Sequence, residues 1–336
     1  MRCIRLKIVL ERFRLLPPKK YMQNGIVIKS TGSWYQVRRD GDAKTILCRI
    51  VGKHRLNNLL LTNPVAVGDR VQFALEDDGN GMIRKILPRT NYVARQSPHN
   101  RMAMHLVAAN IDQAVLFTTV VAPMFKAGFI DRFLLMTEPR NIPTLLVFNK
   151  ADLYDADTMD NYLEIKGIYE RIGYQVLLVS ATQGIGLEPL KAILKDKITL
   201  LSGQSGVGKS SVVNAMQPQL DLRTGDISDY SGKGQHTTTF AEMHALSFGG
   251  SLIDTPGMKI LGFNNLDKFD VSHNFREIFA KSVGCRFGGS CLHREEPFCA
   301  VKAAVESGEI AESRYGNYLV ILGEAEEQKH WEKNKM

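Results

Sequence analysis

Residues 199–216 read TLLSGQSGVGKSSVVNAM, and within them GQSGVGKS at 203–210 fits the pattern G-x-x-x-x-G-K-[ST] at every defined position. A strand-like run, ITLLSG, leads into this segment and a helix-like run, SSVVNAM, leads out of it, which is the setting a phosphate-binding loop requires. The glycines let the backbone of Gly203, Gln204, Ser205, Gly206, Val207 and Gly208 curl so that several N–H groups point at phosphate oxygens, with a helix N-terminus behind them. Lys209 would neutralise the β- and γ-phosphates, and Ser210, followed by Ser211, would coordinate a magnesium ion. Such a loop usually opens its domain, whereas here 202 residues come first.

The loop alone does not choose between ATP and GTP, because it never touches the base. VFNKADL at 147–153 does choose. In N-K-x-D at a strand end, Asn149 faces the purine edge and ties loops together, and the aliphatic stem of Lys150 lies over the ring. Ala151 spaces these from Asp152, whose carboxylate accepts both N1–H and the 2-amino group of guanine, a donor pair adenine lacks. Ser180-Ala181, again at a strand end, resembles the segment whose backbone meets the guanine oxygen in GTPases. Asp254-Thr255-Pro256-Gly257 resembles D-x-x-G, in which Asp254 holds magnesium through water and the Gly257 N–H meets the γ-phosphate. One of Thr237, Thr238 and Thr239 in GQHTTT supplies the hydroxyl of a first switch, and the sequence leaves open which. The order is base reader, helper, phosphate loop, first switch, second switch, so the GTPase is circularly permuted. That rearrangement is tolerable where the old termini lie close, joined here by a connector around 189–198.

Outward from this core, residues 91–263 alternate strands (IDQAVLFTTV, PTLLVFNK, YQVLLVS, KITLLSG, SLIDTPG) with helical patterns around 129–138, 158–172 and 187–196, which predicts a doubly wound, mostly parallel sheet. Upstream, residues 22–90 carry five short runs, GIVIKS, WYQVR, KTILCRI, DRVQFAL and GMIRKIL, separated by turn signals such as Asp78-Gly79-Asn80-Gly81. Five strands in so short a span predict a small closed barrel of the oligonucleotide-binding (OB) type, with an SH3-like barrel as the competitor. Arg49, Lys53, His54 and Arg55, with Trp34 and Tyr35, would give it a basic groove with stacking surfaces, or else a solvated loop and core aromatics.

Residues 264–336 predict a helical domain: a short helix HNFREIFA, runs near 297–307 and 310–322, and a charged tail. Cys285, Cys291, His293 and Cys299 are spaced Cys-x5-Cys-x-His-x5-Cys, and three thiolates with one imidazole form a tetrahedral zinc set. One bound ion can order a loop-rich segment that has too little core of its own.

Composition bounds the rest. At 336 residues, 44% hydrophobic and 23% charged, the chain supports two or three domains, and no apolar run approaches the roughly 18 residues needed to cross a bilayer. The net charge of +8 is concentrated early: +6 in residues 1–21, +5 in 22–90 and −3 beyond. The basic leader 1–21 intersperses charge with apolar residues, which makes a poor secretory signal, and Met22 directly precedes a strand-like run, so the leader reads as an upstream, non-native extension. Five cysteines without such a signal favour a reduced, cytoplasmic setting.

A barrel, NKAD ahead of GQSGVGKSS, GQHTTT, DTPG and a C-terminal Cys/His cluster together resemble the ribosome small-subunit-dependent GTPase A family, RsgA or YjeQ, over residues 22–323. The resemblance implies a GTP hydrolase with zinc and with magnesium bound beside GTP or GDP, and the chain is expected to act as a monomer. It implies late maturation of the small ribosomal subunit, binding to its rRNA, and stimulation by the subunit. CRFGGSC has five residues between the first two cysteines where the family has four. Met258 stands where ordinary GTPases place a water-orienting glutamine, the family is similarly hydrophobic there, and His236 resembles its proposed substitute. A neutral imidazole can position or deprotonate the attacking water, though a histidine at this place can equally pack or cap the switch. The competing readings are a phosphate-loop ATPase or kinase, against which NKAD argues, and an RNA-binding scaffold whose nucleotide site is structural only.

Overall fold

The computed structural model describes residues 21–51, 63–96, 104–222, 241–255 and 266–333. The leader 1–20, the loop residues Lys53, His54 and Arg55, the run holding His236, Thr237, Thr238 and Thr239, and Gly257 with Met258 lie outside the described residues.

The five N-terminal strands are β1 (Gln23–Ser30), β2 (Tyr35–Arg39), β3 (Thr45–Ile50), β4 (Arg70–Leu75) and β5 (Gly81–Ile86). They pair in the order β1-β2-β3-β5-β4, and a further β1–β4 pairing closes the barrel. Only β3 and β5 run parallel. Alternation drives the closure: TILCRI in β3 sends Ile46, Cys48 and Ile50 inward to meet Val27, Tyr35, Val37, Val71, Phe73 and Ile83. Tyr35 is thus a core residue with no exposed stacking face, whereas Trp34 stays at the surface with the Arg49 guanidinium 3.9 Å over its ring.

A hairpin of β6 (Tyr92–Gln96) and β7 (Met104–Ala109) follows, where no strand is predicted from the sequence. Its Val93, Val107 and Ala108 complete the core beneath the central sheet. That sheet contains β8 (Gln113–Thr118), β9 (Thr144–Phe148), β10 (Gln175–Leu178), β11 (Ile198–Gly203), β12 (Glu242–Ala245) and β13 (Ser251–Asp254), in the order β10-β9-β8-β11-β13-β12. All are parallel except β12, which is antiparallel to β13 and was also not expected. β8 and β9 are buried at every position because helices cover both faces. α1 (Ala127–Thr137) and α2 (Ala156–Arg171) pack Ile130, Phe133, Tyr162 and Tyr169 on one face. α3 (Leu187–Leu194) and α4 (Lys209–Met216) pack Leu190, Leu194, Val212 and Val213 on the other.

The barrel is fused to this sheet rather than tethered beside it. Strand β1 pairs with β12 at Lys29 opposite Glu242. Its residues also divide between two cores, with Ile26 and Ile28 packing into the central domain and Val27 into the barrel.

The C-terminal segment forms α5 (Lys268–His273), α6 (Arg276–Ser282), α7 (Ala300–Glu306) and α8 (Glu312–Lys333). HNFREIFA is therefore not one helix. The chain breaks at Asn274, whose N–H caps α5 on Asp270 and Val271, and restarts at Phe275 in an extended conformation so that the Phe275 ring is buried against Tyr318. The module docks on α1 and α2 through a buried network. Arg314 donates to Asp131 at 2.5 Å and to both Glu277 oxygens at 2.6 and 3.0 Å, while Tyr169 and Asn317 also donate to Asp131. No helix among the described residues is long and apolar enough to cross a membrane.

Candidate nucleotide site and metal centre

The predicted nucleotide residues that lie among the described residues collect at the carboxyl ends of neighbouring parallel strands, the edge where open α/β sheets receive ligands. Buried β11 ends at Gly203, the loop turns with positive φ at Gly206 and Gly208, and α4 begins at Lys209. A Cβ at Gly208 would stand 2.3 Å from Asn149 Nδ2, and φ is +86° there, so both space and backbone require glycine. Val207 is fully buried and pins the loop to the core, while Gln204, Ser205 and Gly206 remain accessible. Lys209 Nζ donates to the carbonyls of Gly203 and Gln204 at 2.8 and 3.1 Å, which holds the ammonium in the mouth of the loop. Burial lowers the Lys209 pKa, opposed by the nearby Asp254 charge. Ser210 and Ser211 sit in the first turn of α4.

Asn149 follows β9 directly, and its Nδ2 donates to Val207 O at 2.9 Å, joining the N-K-x-D segment to the phosphate loop 58 residues later. Its Oδ1 is buried without a partner among the described residues, which leaves a polar atom for a bound group. Lys150 takes a left-handed φ of +69° and its Nζ reaches Ala122 O at 2.5 Å. The Ala151 N–H donates to Val179 O, stitching this loop to the end of β10. Buried Ser180 donates its hydroxyl to Asp152, a hydrogen bond that holds the carboxyl below its ordinary pKa and therefore ionised at neutral pH. Ala181 follows in the same loop.

Asp254 ends β13 and stands beside Leu201 of β11, next to the phosphate loop. Burial pushes its pKa up, with the Lys209 charge the largest opposing influence, and such a desolvated carboxylate suits a divalent cation. Thr255 fixes the turn by donating to Leu201 O at 2.9 Å. Ala122, whose carbonyl meets Lys150 Nζ, was not anticipated, since an alanine carries no chemical signature in sequence.

The four cluster residues are all buried, with ligand atoms within 4.8 Å of one another. Sulfur separations are 3.8 Å for Cys285–Cys299 and 4.0 Å for Cys291–Cys299, and His293 Nδ1 lies 3.6 and 3.4 Å from Cys285 and Cys299. A tetrahedral zinc ion with Zn–S about 2.3 Å and Zn–N about 2.0 Å needs edges of about 3.8 and 3.5 Å, so this set could hold such an ion. The surroundings fix the ligands in place. Tyr315 and Tyr318 donate to the carbonyls of His293 and Leu292 at 2.6 and 2.9 Å, and the Glu296 carboxylate accepts the Leu292 and Arg294 N–H groups, each at 2.7 Å. Cys299 caps α7, its sulfur accepting from Lys302 N. The longer CRFGGSC loop is absorbed by a single 3₁₀ turn, Gly288–Ser290.

The RsgA GTPase family model matches residues 86–264, and the RsgA N-terminal domain model matches 24–83. A small ribosomal subunit biogenesis GTPase RsgA of Flavobacterium psychrophilum is 48% identical over 301 residues, covering 89% of this chain and 92% of that protein. A Bacteroides thetaiotaomicron protein named small ribosomal subunit biogenesis GTPase RsgA 2 is 47% identical over 306 residues, covering 91% and 98%. Among solved structures, YjeQ from Thermotoga maritima aligns with a TM-score of 0.73 at 38% identity, covering 91% of this chain and 99% of that one. YloQ, described as a circularly permuted GTPase, aligns with 0.68 at 33% identity, covering 92% and 96%.

Proposed function

Because the chain belongs to the RsgA family of circularly permuted GTPases and is a GTP-hydrolysing enzyme, we propose that it serves in late maturation of the small ribosomal subunit. On this reading it works in the cytoplasm as a monomer, binds the subunit's rRNA and is stimulated by the subunit. Relatives named for small-subunit biogenesis over about nine-tenths of the chain support the assignment, and the Arg49 guanidinium over the surface Trp34 ring supports RNA contact.

One observation carries the chemistry: the Asn149 bond to Val207 makes a guanine reader and a phosphate cradle into one site. Asp152 accepts the guanine N1–H and 2-amino group, oriented by Ser180, while the stem of Lys150 covers the ring. The loop amides and Lys209 take the developing charge as water attacks the γ-phosphorus and GDP leaves. Ser210, and Asp254 through water, would hold the magnesium ion, which supplies charge neutralisation on the β- and γ-phosphates when bound. Gly257 and one of Thr237–Thr239 contact the γ-phosphate, and His236 positions the water in place of the glutamine that Met258 replaces. Cys285, Cys291, His293 and Cys299 would hold one zinc ion, whose contribution is folding energy for the C-terminal module.

Two measurements test the proposal. Hydrolysis assayed with small, large and whole ribosomes should rise with the small subunit, and co-sedimentation with it should depend on a GTP analogue; no stimulation and no binding would remove the ribosomal assignment. Asp152→Asn replaces the acceptor carboxylate by an amide that offers a donor. It is expected to raise KM for GTP at least about tenfold and to favour xanthosine triphosphate, since a lost charged hydrogen bond is worth about 1.5–3 kcal/mol.

A further inference from the structure

We propose that barrel strand β1 forms part of the apparatus that positions Asp254, with Lys29 and Glu242 as the positioning residues. The inference rests on the reading above that Asp254 serves the nucleotide-bound magnesium. In the register of the sheet Asp254 of β13 stands directly opposite Glu242 of β12, and Glu242 stands directly opposite Lys29 of β1. Directly opposed residues on antiparallel strands project from the same face, so the three side chains form one row from the nucleotide site into the barrel.

The charges in this row explain why the barrel is needed. Two carboxylates directly opposite each other repel and push their strands apart. Lys29 Nζ lies 2.6 Å from Glu242 Oε2, and this pair draws Glu242 toward the barrel and away from Asp254. On the other face of the same strands Ile28 and Met243 pack into the central core, which fixes the register from beneath. β12 is four residues long and is the neighbour of β13 on the side away from β11, so the placement of Asp254 on that side depends on β12. β12 in turn is held at its first residue by β1.

Charge reversal distinguishes positioning from a long-range field. Lys29→Glu and Glu242→Lys alter the local charge in opposite senses, so a field effect would move hydrolysis in opposite directions, whereas mispositioning lowers it in both. Both variants are expected to lower kcat at saturating magnesium by about three- to tenfold. KM for GTP should stay within about twofold, because the base-reading loops lie across the sheet at β9 and β10. The K29E/E242K double variant is expected to recover at least half of the wild-type kcat. Where a reversal fails to bind fluorescent GDP and so has not folded, the near-isosteric Lys29→Met and Glu242→Gln take its place, with expected losses of about two- to threefold. Singles that hydrolyse at the wild-type rate, singles that shift in opposite directions, or a double variant no better than either single would each overturn the proposal. Asp254→Asn separates the two readings. If it leaves hydrolysis unchanged, the magnesium assignment fails and this inference with it; if it abolishes hydrolysis while the reversals are silent, only the barrel's role falls.

Discussion

The central domain is joined to its two neighbours by opposite means. The barrel shares β1 with it, and the ion pair between β1 and β12 leaves its two side chains 28% and 30% exposed. The C-terminal module is clamped by Arg314, 3% exposed, between the buried carboxylates of Asp131 and Glu277. A shared strand fixes position through backbone register and apolar packing, so its surface charges can change at little cost to stability. A buried ion network fixes position through the charges themselves, so each member leaves the others stranded when it is removed.

The largest expected effect comes from the candidate metal site inside the clamped module, where Cys285, Cys291 and Cys299 form part of its core. Chelation, or Cys291→Ser, should abolish hydrogen-exchange protection around 285–299 while the barrel strands keep theirs, because metal binding in small modules contributes on the order of 10 kcal/mol of folding energy. Retained protection would show that the tyrosine and Glu296 hydrogen bonds suffice. Next is Arg314→Met, expected to destabilise the protein by about 3–5 kcal/mol in denaturant unfolding, with apolar replacement of Asp131, Glu277 and Arg314 together recovering most of it. Equal losses in the single and triple variants would mean that the clamp works by shape rather than by charge. The smallest effect is Lys29→Met, expected to cost about 1 kcal/mol or less of stability although it slows hydrolysis. A cost as large as that of Arg314→Met would erase the distinction between the two joints.

Features whose signal is local were legible in the sequence. The five barrel strands follow from alternation and turn chemistry, and β8, β9 and β11 from apolar runs too short for helices. N-K-x-D, the phosphate loop and the Cys/His spacing could be read because each concentrates its chemistry in a few adjacent residues. What escaped depends on distant partners. β12 reads EMHA, with no apolar run, and is a strand only because β13 lies on one side and β1 on the other. β6 and β7 were hidden in the same way, each supplying the other's ladder. The Asn149–Val207 and Lys29–Glu242 contacts span 58 and 213 residues, beyond any periodic signal. Tyr35 was recoverable, since WYQVR alternates and places Tyr35 on the same inward face as Val37.

Strand β1 also has a consequence for how the chain is made. Its barrel partners are complete once Leu75 has been synthesised, but β12 follows 213 residues after Lys29 and β13 later still. At ordinary translation speeds of about 5–20 residues per second, the 167 residues from Leu75 to Glu242 take roughly 8–33 s, during which Ile26 and Ile28 lack the cover of Met243 and Ile253 and the outer edge of β1 at Lys29 has no strand beside it. During that interval the protein presents a sticky sheet edge, and the last strands of the central domain are what conceal it.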